Sequence, residues 1–407
     1  MNKISAHQLD YQGKIVLIRT DYNLPLANGK ITSDARLRAS LPVIKTALDG
    51  GARRIVIISH MGRPAGLDKK LSLKPVIKLL EKYLQRPVQF VDKWREVASL
   101  DELLKKNKST DSEIDQNRIV LLENLRFDQG EANNDRRFAE DLVRIINADL
   151  FVQDGFAVAH RRTATTDVIT KLLPSYASDN FCREYAMITS FLRHAPRPCV
   201  AIVGGAKVSD KIDFLRKIAE KVDYLVIGGA MAHAFLAHRG VKLGKSLLEA
   251  NQDATVEEIY RVWVQLNKPA SRIILPIDAE VGAKLTQKTS HQRLINQIGE
   301  REMIGDLGKK SIDQIIKLIE QAGSILWNGN LGYTENPIFA HASKEVFTAL
   351  CRYRPKTLIG GGDTVGFVEK NTTAVDFPEL FLSTGGGATL ELLAYNTLPG
   401  AEGLLNI

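Results

Sequence analysis

VAIVGGAKVSDKID, residues 200–213, is an apolar run that ends in two glycines, with lysines at 207 and 211. It has the outline of a strand whose end feeds a helix N-terminus, where backbone N–H groups hold phosphate. The Walker spacing GxxxxGK[ST] is absent. Read as helical, the stretch sets Lys207 and Lys211 one turn apart, so that both ammonium groups reach one polyphosphate.

The same punctuation recurs through the second half of the chain. YLVI (224–227) ends in Gly228-Gly229 and SILW (324–327) in Asn328-Gly329. TLI (357–359) ends in Gly360-Gly361-Gly362-Asp363, LFLS (380–383) leads into Gly385-Gly386-Gly387, and RIILP (272–276) is a further strand. Glycine lets backbone amides approach a ligand, and the helix behind adds the positive end of its dipole. Five such ends suit a nucleotide polyphosphate. A dinucleotide fits poorly, because GxGxxG is absent. GVKLGKS (240–246) is one residue short of a Walker box and follows the helical AMAHAFLAHR, so it reads as structural.

Strands in the first half end on cations instead. KIVLI (14–18) runs into Arg19, Asp21 and Asn23; RIVIIS (54–59) into His60 and Arg63; RIVLLE (118–123) into Arg126; ADLFVQ (148–153) into His160 and Arg161. VQFV (88–91) is a further strand, and Arg36 opens the first helix, whose apolar residues recur every three or four positions. Like charges gathered on one sheet edge repel, and an anion resolves the repulsion: guanidinium forks hold phosphate or carboxylate through paired hydrogen bonds. Strands apolar on both faces and alternating with helices mark parallel sheets and an α/β architecture, where ligands bind at the carboxyl ends of strands.

The 407 residues favour two domains or three. The stretch 172–198, bracketed by Pro174 and by Pro196 and Pro198, reads as a connecting helix between domains or equally as an ordinary helix with proline stops, and residues 105–117 as a polar surface loop. The net charge of +8 suits nucleic acid or small anionic substrates, and no block of five like charges forms a basic tail. Cys182, Cys199 and Cys351 form neither CxxC nor an even disulfide set, which points to a reducing compartment. The polar start is no signal peptide, and no run of 18 apolar residues is long enough to span a membrane.

An arginine cradle and a glycine cradle together point to phosphoryl transfer between two bound anions. Two unit charges about 4 Å apart repel by roughly 4 kcal/mol at an effective dielectric of 20, and placed cations offset that cost. Asp363, behind three glycines at a helix start, suits a Mg²⁺ ligand; an N-cap aspartate is the plain alternative. No Ser-His-Asp order or His/Cys metal cluster stands out. An acceptor that is already a carboxylate or phosphate oxygen needs no general base.

RTDYNLP, SHMGRP, LLENLRF, GGAKVSDKI, WNGxxG, IGGGDT and STGGGATLELL, in this order along the whole chain, resemble phosphoglycerate kinase. The resemblance implies two Rossmann-like parallel-sheet domains joined by a helix, with the C-terminal tail returning to the first domain. It sets residues 1–176 with 393–407 as a phosphoglycerate domain, 177–195 as the interdomain helix and 196–392 as the nucleotide domain. It implies exchange of a phosphoryl group between Mg-ATP and 3-phosphoglycerate. A cytoplasmic monomer that needs no nucleic acid is expected, and two anion sites in separate domains call for hinge closure, which would also exclude water. Asp21, Asn23, Arg36, His60, Arg63, Arg126 and Arg161 are then expected on phosphoglycerate. Gly205, Ala206, Lys207, Lys211, Gly229, Asn328, Glu335, Gly361, Gly362, Asp363 and Thr364 are expected on the nucleotide, with Asp363 on Mg²⁺. Arg36, Lys207, Gly362 and Gly386 are expected to act on the transferring group, and Arg19 and His160 to be structural. The chain departs from the family pattern at Gln153, Thr163, Ala230, Lys309, Asn330 and Phe381.

Overall fold

Short β-branched runs bury both faces and so become the inner layer of a helix-covered sheet. The structure, a computed structural model, describes residues 5–27, 29–106, 118–371 and 377–405. The polar stretch expected as a loop lies outside the described residues from 107 onward. The chain divides into two units, Met1–Ala186 with Thr397–Ile407, and Met187–Asn396.

The first unit contains β1 (Ile15–Arg19), β2 (Arg54–Ile58), β3 (Val88–Val91), β4 (Arg118–Leu122), β5 (Leu150–Gln153) and β6 (Ser175–Ala177). They form one sheet in the order β3-β4-β2-β1-β5-β6, every pairing parallel. The helix Ala35–Asp49 buries Leu37, Val43 and Ile44 in the same core as Val16, Ile18, Ile55 and Ile57. Each such side chain contributes roughly 1.5–3 kcal/mol. The tail belongs to this unit: Leu398, Ala401 and Leu404 are buried, Gly400 N donates to Ala159 O (2.7 Å) and Leu405 N to Ser175 O (2.9 Å).

The second unit contains β7 (Cys199–Val203), β8 (Tyr224–Ile227), β9 (Ile273–Ile274), β10 (Asp278–Gly282), β11 (His291–Leu294), β12 (Met303–Leu307), β13 (Ser324–Asn328), β14 (Lys356–Gly360) and β15 (Leu380–Ser383). Six form a parallel sheet in the order β9-β8-β7-β13-β14-β15. The other three make a small antiparallel sheet, β11-β10-β12.

Two expectations change. The connecting helix is Asp179–His194; Ser175–Ala177 before it pairs with β5, and Ser178 accepts from Phe181 N as a cap, which fixes where the helix starts. RIILP shrinks to two residues, because Arg272 closes a 3₁₀ turn and Pro276 has no N–H to give a ladder.

Candidate functional site

In the first unit β1 lies between β2 and β5, so the loops after these strands and after β4 meet at one end of the sheet. Asp21 is buried and accepts from Asn23 N (3.1 Å) and from Arg36 Nη1 (2.8 Å). Arg36 reaches it from the first turn of helix Ala35–Asp49 and also lies 3.4 Å from Asn23 O. Asn23 Oδ1 accepts from Gly62 N (2.9 Å), and Arg126 Nη1 donates to Gly62 O (2.6 Å), so the loop carrying His60 and Arg63 is tied from both sides. Arg161 Nε donates to His160 Nε2 (3.1 Å).

The charges confirm the gathering. Burial first, then Arg19 and Arg161, lowers Arg126 to about 10. Arg161 is lowered by burial and by exposed Arg63. Burial, then Arg19, Arg126, Arg36 and Arg161, holds His60 well below the usual histidine range; burial and Arg161 bring His160 to about 4. All seven expected residues are thus in one neighbourhood. Among the described residues Arg63, Arg126 and Arg161 form no ion pair, while Arg36 pairs with Asp21. Three guanidinium groups and two neutral imidazoles, with the Asp21 carboxylate already engaged by Arg36, make a site suited to a polyanion.

In the second unit the loops after β7, β8, β13, β14 and β15 surround a cavity of about 610 Å³. Gly205, Gly229, Gly329, Gly361 and Gly386 all have positive φ. At Gly229 (φ +62°) the reason is close approach: a Cβ would lie 2.8 Å from Asn330 O and from Gly205 N. Thr364 Oγ1 accepts from Gly329 N (2.9 Å), and Asn328 Nδ2 donates to Gly360 O (2.8 Å). The helices Gly362–Asn371 and Gly387–Tyr395 begin at this wall, adding two positive dipole ends. Gly205, Ala206, Lys211, Gly229, Asn328, Glu335, Gly361, Gly362, Asp363, Thr364 and Gly386 line the cavity. Asp363 is exposed in the first turn of its helix, not at the cap position.

The two lysines are arranged differently from the sequence expectation. Residues 204–208 are loop, a 3₁₀ turn covers Ser209–Lys211, and the α-helix starts at Ile212, so Lys207 and Lys211 do not share a helix face. Lys211 Nζ turns back onto Gly204 O (2.6 Å) and Asn328 Oδ1 (2.6 Å), because the glycine turn leaves these acceptors uncovered. Lys207 is exposed and outside the cavity wall.

Sequence reading missed the opposite wall. Leu236, Leu247, Leu285, Ile304 and Tyr333 give it an apolar face suited to a flat ring, and β10 and β12 supply part of it. Every residue of β11 is exposed, so no alternation marked that sheet. Among the departures, Ala230 has φ −65° and needs no glycine, Lys309 pairs with Asp313 (3.2 Å), and Thr163 donates to Glu131 (2.9 Å). Asn330 lines the cavity and donates to Thr334 (2.7 Å). Gln153 Oε1 accepts from Gly155 N (3.2 Å), and Phe381 lies within β15. GVKLGKS is a loop pinned to β12, with Ser246 accepting from Ile304 N (2.9 Å).

A family model described as phosphoglycerate kinase matches residues 6–395. The chain is 37% identical over 408 residues to phosphoglycerate kinase of Moorella thermoacetica, covering 99% of each. It is 39% identical to that of Akkermansia muciniphila, covering 99% of this chain and 98% of the relative. The solved phosphoglycerate kinase of Coxiella burnetii superposes with a TM-score of 0.80 at 32% identity, over 98% of each chain.

Proposed function

The chain belongs to the phosphoglycerate kinase family, and on that premise we propose that its first unit holds 3-phosphoglycerate and its second unit Mg-ATP or Mg-ADP. The family's reaction is a reversible phosphoryl transfer between the nucleotide and the substrate carboxylate, giving 1,3-bisphosphoglycerate. The observation that carries the assignment is the trio Arg63, Arg126 and Arg161, which has no carboxylate partner among the described residues. Three unneutralised cations beside neutral His60 suit a substrate with its own phosphate as well as a carboxylate. Arg36, shared with Asp21, is the cation placed for the group in flight.

In the transfer, a carboxylate oxygen of 3-phosphoglycerate bonds to the terminal phosphorus as the bridging P–O bond to ADP breaks. The acceptor is already ionised, so no residue need take a proton. Gly362 and Gly386 amides at the two helix starts donate to the phosphoryl oxygens, and Lys207 and Lys211 offset their charge. Lys211 must leave Asn328 and Gly204 in part to do so. Asn328 and Thr364 keep the glycine loops in register, and Glu335 accepts from the ribose.

Asp363 fits Mg²⁺: it is an exposed oxygen donor on the cavity wall, in the first turn of helix Gly362–Asn371, and Mg²⁺ takes one or two carboxylates with substrate phosphates. The ion, when bound with nucleotide, supplies charge neutralisation of the phosphates. We further propose a cytoplasmic monomer whose units close to exclude water from the transfer; no described helix is long and apolar enough to cross a membrane. A coupled assay tests the assignment. ADP production from ATP that depends on 3-phosphoglycerate is expected, and its absence in pure folded protein refutes it.

A further inference from the structure

We infer that Arg19 is a positioning residue, whose guanidinium fixes His60 in the tautomer that presents Nε2–H to the anion cradle; the inference rests on the phosphoglycerate reading of that cradle. Arg19 closes β1 and is 1% exposed. Its Nε donates to Thr165 Oγ1 (3.0 Å), its Nη1 to Thr20 O (2.5 Å), and its Nη2 lies 3.9 Å from Glu131 Oε1. Glu131 is held in turn by the hydroxyls of Thr163 (2.9 Å) and Thr165 (2.7 Å). The guanidinium is therefore anchored on three sides.

The same Nη2 is 3.3 Å from His60 Nδ1. A guanidinium has only N–H groups to offer, so the ring atom facing it must be the one with the lone pair. In a neutral imidazole the proton then sits on Nε2. That atom lies 4.0 Å from Asp21 Oδ1, on the side where Arg36 and Asn23 converge. Arg19, Arg36, Arg126 and Arg161 all oppose a charge on the ring, and Asp21 is the carboxylate beside it. His60 thus serves the substrate as a directed, uncharged donor. The other tautomer would aim a lone pair at an anion.

The test begins without mutation. Long-range ¹H–¹⁵N correlation of the full chain, with His60 assigned by its loss in His60→Gln, should show the Nε2–H tautomer unchanged between about pH 6 and 8. A wild-type Nδ1–H tautomer, or protonation within that window, overturns the inference. Arg19→Gln supplies an amide oxygen that can accept from Nδ1–H; Glu131→Gln is combined with it so that no buried carboxylate is left without its cation. The double variant should lose the Nε2–H signal and raise KM for 3-phosphoglycerate about tenfold or more, with KM for ATP unchanged. Arg19→Lys, again donor-only, should keep the tautomer and restore most of that KM. A merely structural role would lower the active fraction without a selective KM change, and an unchanged KM in the double variant overturns the inference. Lack of 3-phosphoglycerate turnover in the wild type would instead defeat the functional reading, while the spectrum still decides the Arg19–His60 relation.

Discussion

Arg36→Ala separates catalysis from folding most sharply. Arg36 Nη1 meets Asp21 Oδ2 at 2.8 Å, with side chains 27% and 10% exposed. A partly solvated pair of this kind contributes roughly 0–1 kcal/mol to folding, and Asp21 keeps its bond from Asn23 N. The melting temperature should fall by no more than about 2–4 °C. The transition state is a different matter. A cation about 4 Å from the migrating charge, at an effective dielectric of 20, stabilises it by roughly 4 kcal/mol. At 1.36 kcal/mol per decade that is about a thousandfold in kcat. The assay is steady-state turnover with both substrates saturating, beside a thermal melt of the same sample. Arg36→Lys should fall between the two, since it keeps the charge but not the planar fork. A kcat within about tenfold of wild type, or a loss of activity that merely follows a collapsed melt, would refute the reasoning.

Other contacts carry their own expected outcomes. Lys211→Met removes two short charged hydrogen bonds to Gly204 and Asn328; it should destabilise the second unit by roughly 2–4 kcal/mol in urea unfolding and raise KM for ATP. Asp363→Asn should leave the melt unchanged and raise the Mg²⁺ concentration for half-maximal turnover, read by a metal titration. Gly229→Ala forces a side chain into φ +62° against two backbone atoms at 2.8 Å; calorimetry should show weakened ADP binding with 3-phosphoglycerate binding intact. Burial pushes Asp154 up to about 7, with Glu184 and Asp21 adding to the effect and Ser178 opposing it. A carboxyl raised above its unfolded value of about 3.9 contributes stability that is full below that value and is lost as pH rises to about 7. Asp154→Asn should therefore be more stable than wild type at pH 8 by a few kcal/mol, the difference shrinking toward pH 4 in denaturant titrations.

Much of the fold was legible because its strands are apolar on both faces and end in chemically marked loops. RIVIIS and SILW identify themselves as buried parallel strands, and the residues after each strand mark its role: arginines in one unit, with Arg63, Arg126 and Arg161 outside any ion pair among the described residues, and glycines, several with positive φ, in the other. Ser175–Ala177 was hidden because three residues after a proline carry no periodicity. The β10–β12 sheet was hidden because HQRL faces solvent throughout, and its packing against the glycine-walled cavity depends on residues distant in sequence. The lysine arrangement failed for a local reason: a glycine turn with uncovered carbonyls competes for an ammonium group, and spacing alone cannot reveal that competition. Arg19 illustrates the same limit from the other side. Its place in RTDYNLP was plain, but its effect on His60 depends on which ring nitrogen it faces.

The central claim is that cations on one unit and main-chain amides on the other let two mutually repelling anions exchange a phosphoryl group. ³¹P NMR of the pure protein with ATP, Mg²⁺ and 3-phosphoglycerate tests it directly. An acyl-phosphate resonance should grow together with ADP and vanish when 3-phosphoglycerate is left out. Inorganic phosphate appearing in its place, or no change in the spectrum, would contradict the claim.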